Sequence, residues 1–380
     1  MSGCSDIWGE LPFWSRLQAK ALEKGKPYHS MLMLTDACNL DCYFCAFTKQ
    51  SNKKKQLGYN EWIKIIDELY DLGIFHVCLT GGEVTILPWF EDIYKYLLQK
   101  GFIVAVKTNA NQITEHLKDV FREFPPYAVL ITVYGASSDT YKRITGDADA
   151  YERVLDAIDY FRTIKTRLEV GMTITQDNLG DVPSVVELLW SKGLKTGLNT
   201  DIFPRLDGLD NGYGRYRLTP GQRVSLLTSD VECYQDILQE ARDLDVHLSD
   251  WVPHDKIPFM GDECRIGVCI EAKTGLAIMN DGKVQYCTNY AIEQDIDVRD
   301  GVKNAWEALC RHYDENFRLS EYCHQCEDRS FCHANCPARF HLASGEATVP
   351  DAYICQFAAL YRLKKQSILG GKQNENVHCS

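Results

Sequence analysis

Sixteen cysteines, and the long stretch that lacks them, most constrain this 380-residue chain. They stand at 4, 38, 42, 45, 78, 233, 264, 269, 287, 310, 323, 326, 332, 336, 355 and 379. Three crowd together early, a second crowd runs from 264 to 355, and none lies between 79 and 232. The pattern marks two metal-bearing regions separated by a scaffold. The N-terminus, MSGCSDIWGE, has no basic segment or apolar core and does not read as a secretory signal. A cytoplasmic chain keeps its thiols reduced, so metal ligation is expected here rather than disulfides.

The scaffold alternates short apolar runs with helical periods. Strands are predicted over 31–35, 75–80, 103–107, 128–133, 169–175 and 196–201, rich in Val, Ile and Leu. Such runs suit strands buried on both faces of a parallel sheet. Helices are predicted over 60–72, 89–99, 112–121, 151–164 and 182–190, with Asn60 and Asp181 as N-caps. Six β-α repeats imply a parallel sheet, open or curled into a partial barrel. Functional groups of such folds gather at the C-terminal ends of the strands. A Gly- and Asp-rich connector follows over 205–217, then a helix over 220–244. Farther on, apolar runs at 276–279 and 283–287 flank Asn280-Asp281-Gly282, a hairpin signal.

Charge narrows the partners. Lys and Arg number 41 against 53 Asp and Glu, a net charge of −12. An acidic surface repels phosphate backbones, so nucleic acid is not expected as a partner. No apolar run approaches the ~18 residues of a membrane span, so no membrane is expected either.

Cys38, Cys42 and Cys45 follow the first strand as C-x3-C-x2-C. Four thiolates would close a structural zinc or iron–sulfur site; three leave one metal position open for chemistry. A zinc site completed by His76 or another distant ligand is the simpler alternative. One β-α unit later stands Gly81-Gly82-Glu83, whose glycines allow close backbone approach to a ligand.

Cys38-Asn-Leu-Asp-Cys42-Tyr-Phe-Cys45 followed by Thr80-Gly-Gly-Glu83 resembles the radical S-adenosylmethionine (SAM) superfamily. The resemblance implies a partial (β/α)6 barrel and a 4Fe–4S cluster on the three cysteines, its open iron chelated by SAM. Reductive cleavage of SAM then yields methionine and a 5′-deoxyadenosyl radical that takes a hydrogen atom from substrate. By position, Phe44 meets the adenine, and Gly81, Gly82 and Glu83 meet the methionyl amine. Thr108 and Asn109 stand beside SAM, Thr132 reaches its carboxylate or ribose, and Arg143 pairs with the carboxylate. Val84 replaces the usual proline after the Glu.

Cys269, Gly282 and Cys287, then Cys323-x2-Cys326-x5-Cys332-x3-Cys336 and Cys355, resemble the SPASM extension of such enzymes. That extension holds two auxiliary 4Fe–4S clusters, for three in all. The family's interleaved ligation implies Cys264, Cys269, Cys287 and Cys336 for the barrel-proximal cluster. It implies Cys323, Cys326, Cys332 and Cys355 for the distal one. Zinc ribbons are the rival, but zinc has no redox chemistry for the electron left by substrate oxidation. The expected division is an extension over 1–30, the partial barrel over 31–218, a linker helix over 219–250, the SPASM domain over 251–360 and a tail over 361–380. Cys78 and Cys310 read as packing residues, Cys4 and Cys379 as incidental, and lysines 53–55 as a solvated loop.

The substrate is read from four features. Thr288 stands where sulfatase-maturating relatives carry a basic Asp. Val133-Tyr134-Gly135-Ala136-Ser137 with Tyr141-x2-Ile144-Thr145-Gly146 looks like peptide-modifying members, as does Phe203-Pro204-Arg205-Leu206-Asp207-Gly208. Few residues flank the two regions, so no fused leader-binding module is expected. The expected function is maturation of a ribosomally made precursor peptide by a crosslink, thioether, epimer or related change. A separate leader-binding protein and an electron donor such as flavodoxin or ferredoxin are the implied partners. The alternatives are a SPASM enzyme acting on a sugar, heme precursor or peptide-derived cofactor, and a non-catalytic electron carrier. No general base is assigned; Asp201, Asp207 and Asp210 lie near the expected mouth.

Overall fold

The computed structural model describes residues 12–47, 56–208, 210, 212–228, 271–290, 295–316, 323, 325–328, 331–332, 338, 341 and 351–375. Cys4, Cys233, Cys264, Cys269, Cys336, Cys379 and lysines 53–55 lie outside them. The chain forms two compact units. The first joins Met1–Tyr216 to Ile270–Glu315, and the second joins Arg217–Cys269 to Asn316–Ser380.

The first unit is built on one sheet. Its strands are β1 (His29–Met33), β2 (His76–Thr80), β3 (Ile103–Thr108), β4 (Ala128–Val133), β5 (Arg167–Thr173), β6 (Thr196–Asn199), β7 (Gly275–Ile278) and β8 (Val284–Gln285). Their order is β6-β5-β4-β3-β2-β1-β7-β8, with β6 and β8 as the edges. All neighbours run parallel except β7 and β8. All but the first residue of β1 and the last of β2 are buried, as near-continuous apolar runs require when both faces are covered. The hairpin signal at Asp281-Gly282 is realised by β7 and β8, with Gly282 at φ +95°. Periodicity did not disclose that β7 would pair with β1 and extend the parallel sheet.

Helices cover the sheet between strands: α1 (Pro12–Lys24), α2 (Tyr59–Leu72), α3 (Phe90–Gln99), α4 (Glu115–Glu123), α5 (Ser138–Thr145), α6 (Ala150–Phe161) and α7 (Val182–Ser191). On α2 the buried face is Trp62, Ile65, Ile66 and Leu69, each worth about 1.5–3 kcal/mol of burial. The cap of α2 is Gly58, not Asn60. The Glu61 carboxylate reaches back to accept the Gly58 N–H at 2.8 Å, and Asn60 lies inside the helix as its second residue. Asp181 does precede α7, but its carboxylate accepts the Ala136 N–H at 2.8 Å instead of capping. The sequence reading missed α5, a short and mostly polar helix.

In the second unit, α9 (Pro220–Thr228) packs on the helix Ala352–Glu375. Val224, Phe357 and Leu360 form its core cluster, and Arg223 lies over the Phe357 ring at 4.2 Å. The first unit's segment before Arg217 carries the short helix α8 (Tyr213–Tyr216).

Candidate active site

The three cysteines occupy the loop that leaves β1, and the chain ties that loop down at several points. The Leu34 N–H donates to the Thr80 carbonyl at the end of β2 (2.9 Å). Gly82 N–H donates to Thr35 O and Glu83 N–H to Ala37 O, both at 2.8 Å. A Cβ on Gly81 would stand 2.5 Å from Thr35 O, and one on Gly82 would stand 2.2 Å from Ala37 O. The two glycines therefore serve the approach of β2 to the cysteine loop itself.

The far side of the loop rests on α5. Asp41 N–H donates to Thr145 O (2.7 Å) and Tyr43 N–H to Ile144 O (3.4 Å). The Ile144-Thr145-Gly146 motif at the end of α5 thus holds the cysteine loop in place. The Tyr43 hydroxyl bonds Thr175 Oγ1 at 3.0 Å, and its ring lies 4.1 Å from that of Tyr216. Burial pushes the Tyr43 hydroxyl well above its ordinary pKa. Leu206 N–H donates to Ala46 O (3.0 Å), seating the connector beside Cys45.

Glu83 is the centre of a second network. Only 1% of its surface is exposed. One carboxylate oxygen accepts from Thr85 N (3.1 Å), Thr85 Oγ1 (2.7 Å) and Thr108 Oγ1 (2.8 Å). The other accepts the Asn109 N–H at 2.6 Å. Burial raises its pKa, and these four donors oppose the rise. The carboxylate thus ties the end of β2 to the end of β3. The Asn109 side chain continues this network, its amide nitrogen lying 3.5 Å from Cys38 Sγ and 2.9 Å from Asn39 Oδ1.

Tyr134, just past β4, feels all three cysteines electrostatically. Burial raises the Tyr134 hydroxyl well above its ordinary pKa, and the thiols of Cys42, Cys38 and Cys45 add to the rise. Its ring stands 6.1 Å from Phe44 and edge-on to Tyr141 at 5.8 Å. Thr132 lies on β4 opposite Gly171. Arg143 donates to Thr140 Oγ1 and to Asp177 O, both at 3.1 Å. Arg205 forks onto Asp207 at 2.9 and 2.7 Å, and both Asp207 and the nearby Cys45 thiol hold its pKa up. Asp201 and Asp210 act locally: the Asp201 N–H donates to Asn199 Oδ1, and Asp210 accepts the Gly212 N–H.

His76 begins β2, whereas the cysteine loop meets the other end of that strand. Four residues of strand rise, about 13 Å, separate the two ends. His76 therefore cannot complete a zinc site there. Among the described residues, no three His, Cys, Asp or Glu groups converge to hold a single metal ion. The loop instead presents three spaced thiols in a cradle closed by Gly81 and Gly82. That donor set fits an iron–sulfur cluster with one iron left open.

In the second unit, burial pushes the Cys355 thiol far up, and the thiols of Cys332, Cys323 and Cys326 add to it. Those three cysteines thus lie within electrostatic reach of Cys355. Cys326 lies beside Arg362, which donates to Asp328 (2.5 Å) and Glu327 (2.9 Å). In the first unit, Cys287 is half-buried just past β8. Cys78 is buried in β2, and burial takes the Cys310 thiol up to about 11, as suits packing residues.

The Radical SAM superfamily profile matches residues 32–189, the span from β1 through α7. These residues form a radical SAM domain. The AdoMet-dependent heme synthase of Methanosarcina barkeri is 23% identical over 84% of this chain and 94% of its own length. The PqqA peptide cyclase of Bradyrhizobium diazoefficiens is 23% identical over 86% of each chain. Streptococcus suis SuiB, solved with S-adenosylmethionine bound, superposes with a TM-score of 0.61 at 14% identity, covering 90% of this chain and 81% of its own. That likeness is one of fold. The family match is confined to residues 32–189, and a peptide cyclase is among the proteins the chain resembles.

The sequence motifs located Cys38, Cys42, Cys45 and Glu83 because their spacing is local. Sequence reasoning missed Asn39, Tyr43, Thr175 and Tyr216, which hold the loop across the sheet. No short-range signal marks them; Val-Tyr-Gly after β4 was the nearest hint to Tyr134.

Proposed function

We propose that this protein matures a ribosomally made precursor peptide, binding SAM and one 4Fe–4S cluster at the C-terminal ends of β1–β4. When bound, cluster and SAM supply a one-electron cleavage that removes a hydrogen atom from an unactivated C–H bond. The chain's own residues do the rest. Cys38, Cys42 and Cys45 would hold three corners, and Gly81 and Gly82, packed against the cysteine loop, fix the strand end that would face the methionyl group. Phe44 and Tyr134 offer an aromatic wall that excludes water, Thr132 a hydroxyl on the same rim, and Arg143 a guanidinium for a carboxylate. The single observation that carries the reading is the loop itself: three thiols fixed to β2 and α5 at the strand ends, beside the aromatic wall.

Two auxiliary clusters, if held, would offer a path for the electron left on the substrate. Cys323, Cys326, Cys332 and Cys355 hold the distal one. Cys287, with Cys264, Cys269 and Cys336, holds the proximal one, making three clusters in all. A flavodoxin- or ferredoxin-type donor supplies the first electron in the cytoplasm, and a separate small protein brings the leader. Support for a peptide substrate comes from the Bradyrhizobium diazoefficiens relative, named for a peptide cyclisation. A second reading, action on a heme precursor or another small metabolite, is favoured by the Methanosarcina barkeri relative matched over 94% of its length.

The test is to incubate reduced enzyme with the short peptide encoded beside it, deuterated, with and without any adjacent small protein. A mass change in the peptide and deuterium in 5′-deoxyadenosine are expected. Deuterium arriving from a porphyrin or sugar, with none from any peptide, overturns the first reading in favour of the second.

A further inference from the structure

We propose that Asn109 is a positioning residue that sets the reduction potential of the cluster on Cys38, by donating its side-chain N–H to the Cys38 sulfur. The inference rests on the cluster assignment above and goes beyond it, because it gives Asn109 a partner on the cysteine loop.

The amide orientation follows from its neighbours. Asn109 Oδ1 accepts the Asn111 N–H at 2.9 Å, so Nδ2 must be the atom that faces the loop. There it meets two acceptors, Asn39 Oδ1 at 2.9 Å and Cys38 Sγ at 3.5 Å. A flipped amide would set oxygen against oxygen and nitrogen against an N–H. The backbone is fixed as well, since the Asn109 N–H is held by Glu83. Ala110, next in the chain, takes φ +56°, the one positive value at a non-glycine among the described residues. That left-handed step carries the Asn111 N–H back to Asn109 Oδ1. Backbone strain at a single alanine, kept in place by Thr108 Oγ1 accepting the Ala110 N–H, is the mark of a position that must be held.

The chemistry is electrostatic. A thiolate that ligates a cluster carries more negative charge in the reduced form than in the oxidised form. A donor aimed at that sulfur therefore stabilises the reduced form more and raises the potential. Asn109 is 6% exposed, so water does not screen the interaction. Leu40 N–H also points at Cys38 Sγ, at 3.5 Å, and remains when Asn109 is changed.

The experiment is an EPR-monitored redox titration of the reconstituted enzyme and of Asn109→Leu and Asn109→Asp. The signal that changes on adding SAM identifies the first cluster. Leu removes the donor at similar volume; Asp removes it and adds a negative charge. Both variants should keep wild-type iron content and shift that midpoint to more negative potential, Asp at least as far as Leu. An unchanged or raised midpoint in a variant that retains the cluster overturns the proposal. Loss of the cluster from both variants makes Asn109 a purely structural residue and overturns it too. If one variant loses the cluster, the other decides. Absence of a SAM-responsive signal in the wild type would instead sink the underlying cluster assignment.

Discussion

Gly82 carries the cysteine loop's demands at the scale of one residue. A Cβ there would meet Ala37 O at 2.2 Å and Asp36 O at 2.7 Å, backbone atoms that cannot swing away. Gly82→Ala must therefore push the loop off β2, at a cost of about 1–3 kcal/mol. Iron after anaerobic reconstitution should fall by about 4 per chain, one cluster's worth, with helix content by circular dichroism intact. Full iron in that variant would show that the close approach is not needed. The glycines were legible in the sequence as places of close approach. The surface they approach was not, because a loop forty-odd residues earlier in the chain leaves no local trace. Asn109 is similar: the motif marks its position, but only the turn at Ala110 decides where its amide points.

At the scale of elements, the six scaffold strands were found from short Val-, Ile- and Leu-bearing runs; the signal is strongest for the buried inner strands such as β2 and weakest for the half-exposed edge strand β6. Their ends slipped by a residue or two, as at β1 and β5, where the last apolar residues belong to the exit loops. The joining of β7 to β1 was not legible, since strand pairing across the chain depends on the partner's register and not on the strand's own period. The start of β2 supports a pH prediction. His76 is 2% exposed; burial, and then the neighbouring His29, hold its pKa well below 6.5. The unfolded chain takes up a proton that the folded chain refuses. Stability is therefore complete above about pH 6.5 and falls as pH drops below it, by up to about 1.4 kcal/mol per pH unit. In urea unfolding, His76→Leu should show a smaller loss between about pH 7.5 and about pH 5.5 than the wild type. An equal loss would remove His76 as its source.

For the whole molecule, metal content is the measurement that joins the two units. Three clusters predict about 12 irons per reconstituted chain, and replacing Cys38, Cys42 and Cys45 together by Ala predicts about 8. Cys355→Ala should remove the distal cluster, slow product formation at least tenfold and leave uncoupled SAM cleavage largely in place. A wild-type value near 4, or cleavage lost along with product, would refute the two-region reading. The cysteine spacing is what suggests two such regions, and Cys332, Cys323 and Cys326 act electrostatically on the Cys355 thiol. One feature of the first region bears on how the enzyme comes to life. Its cysteine loop is moored by hydrogen bonds from β2, α5 and the connector, none of which requires a metal. The conformational entropy of the loop is thus settled during folding and not charged to the cofactor. A delivery protein would find a finished socket, so loading can wait until reductant and oxygen-free conditions are at hand.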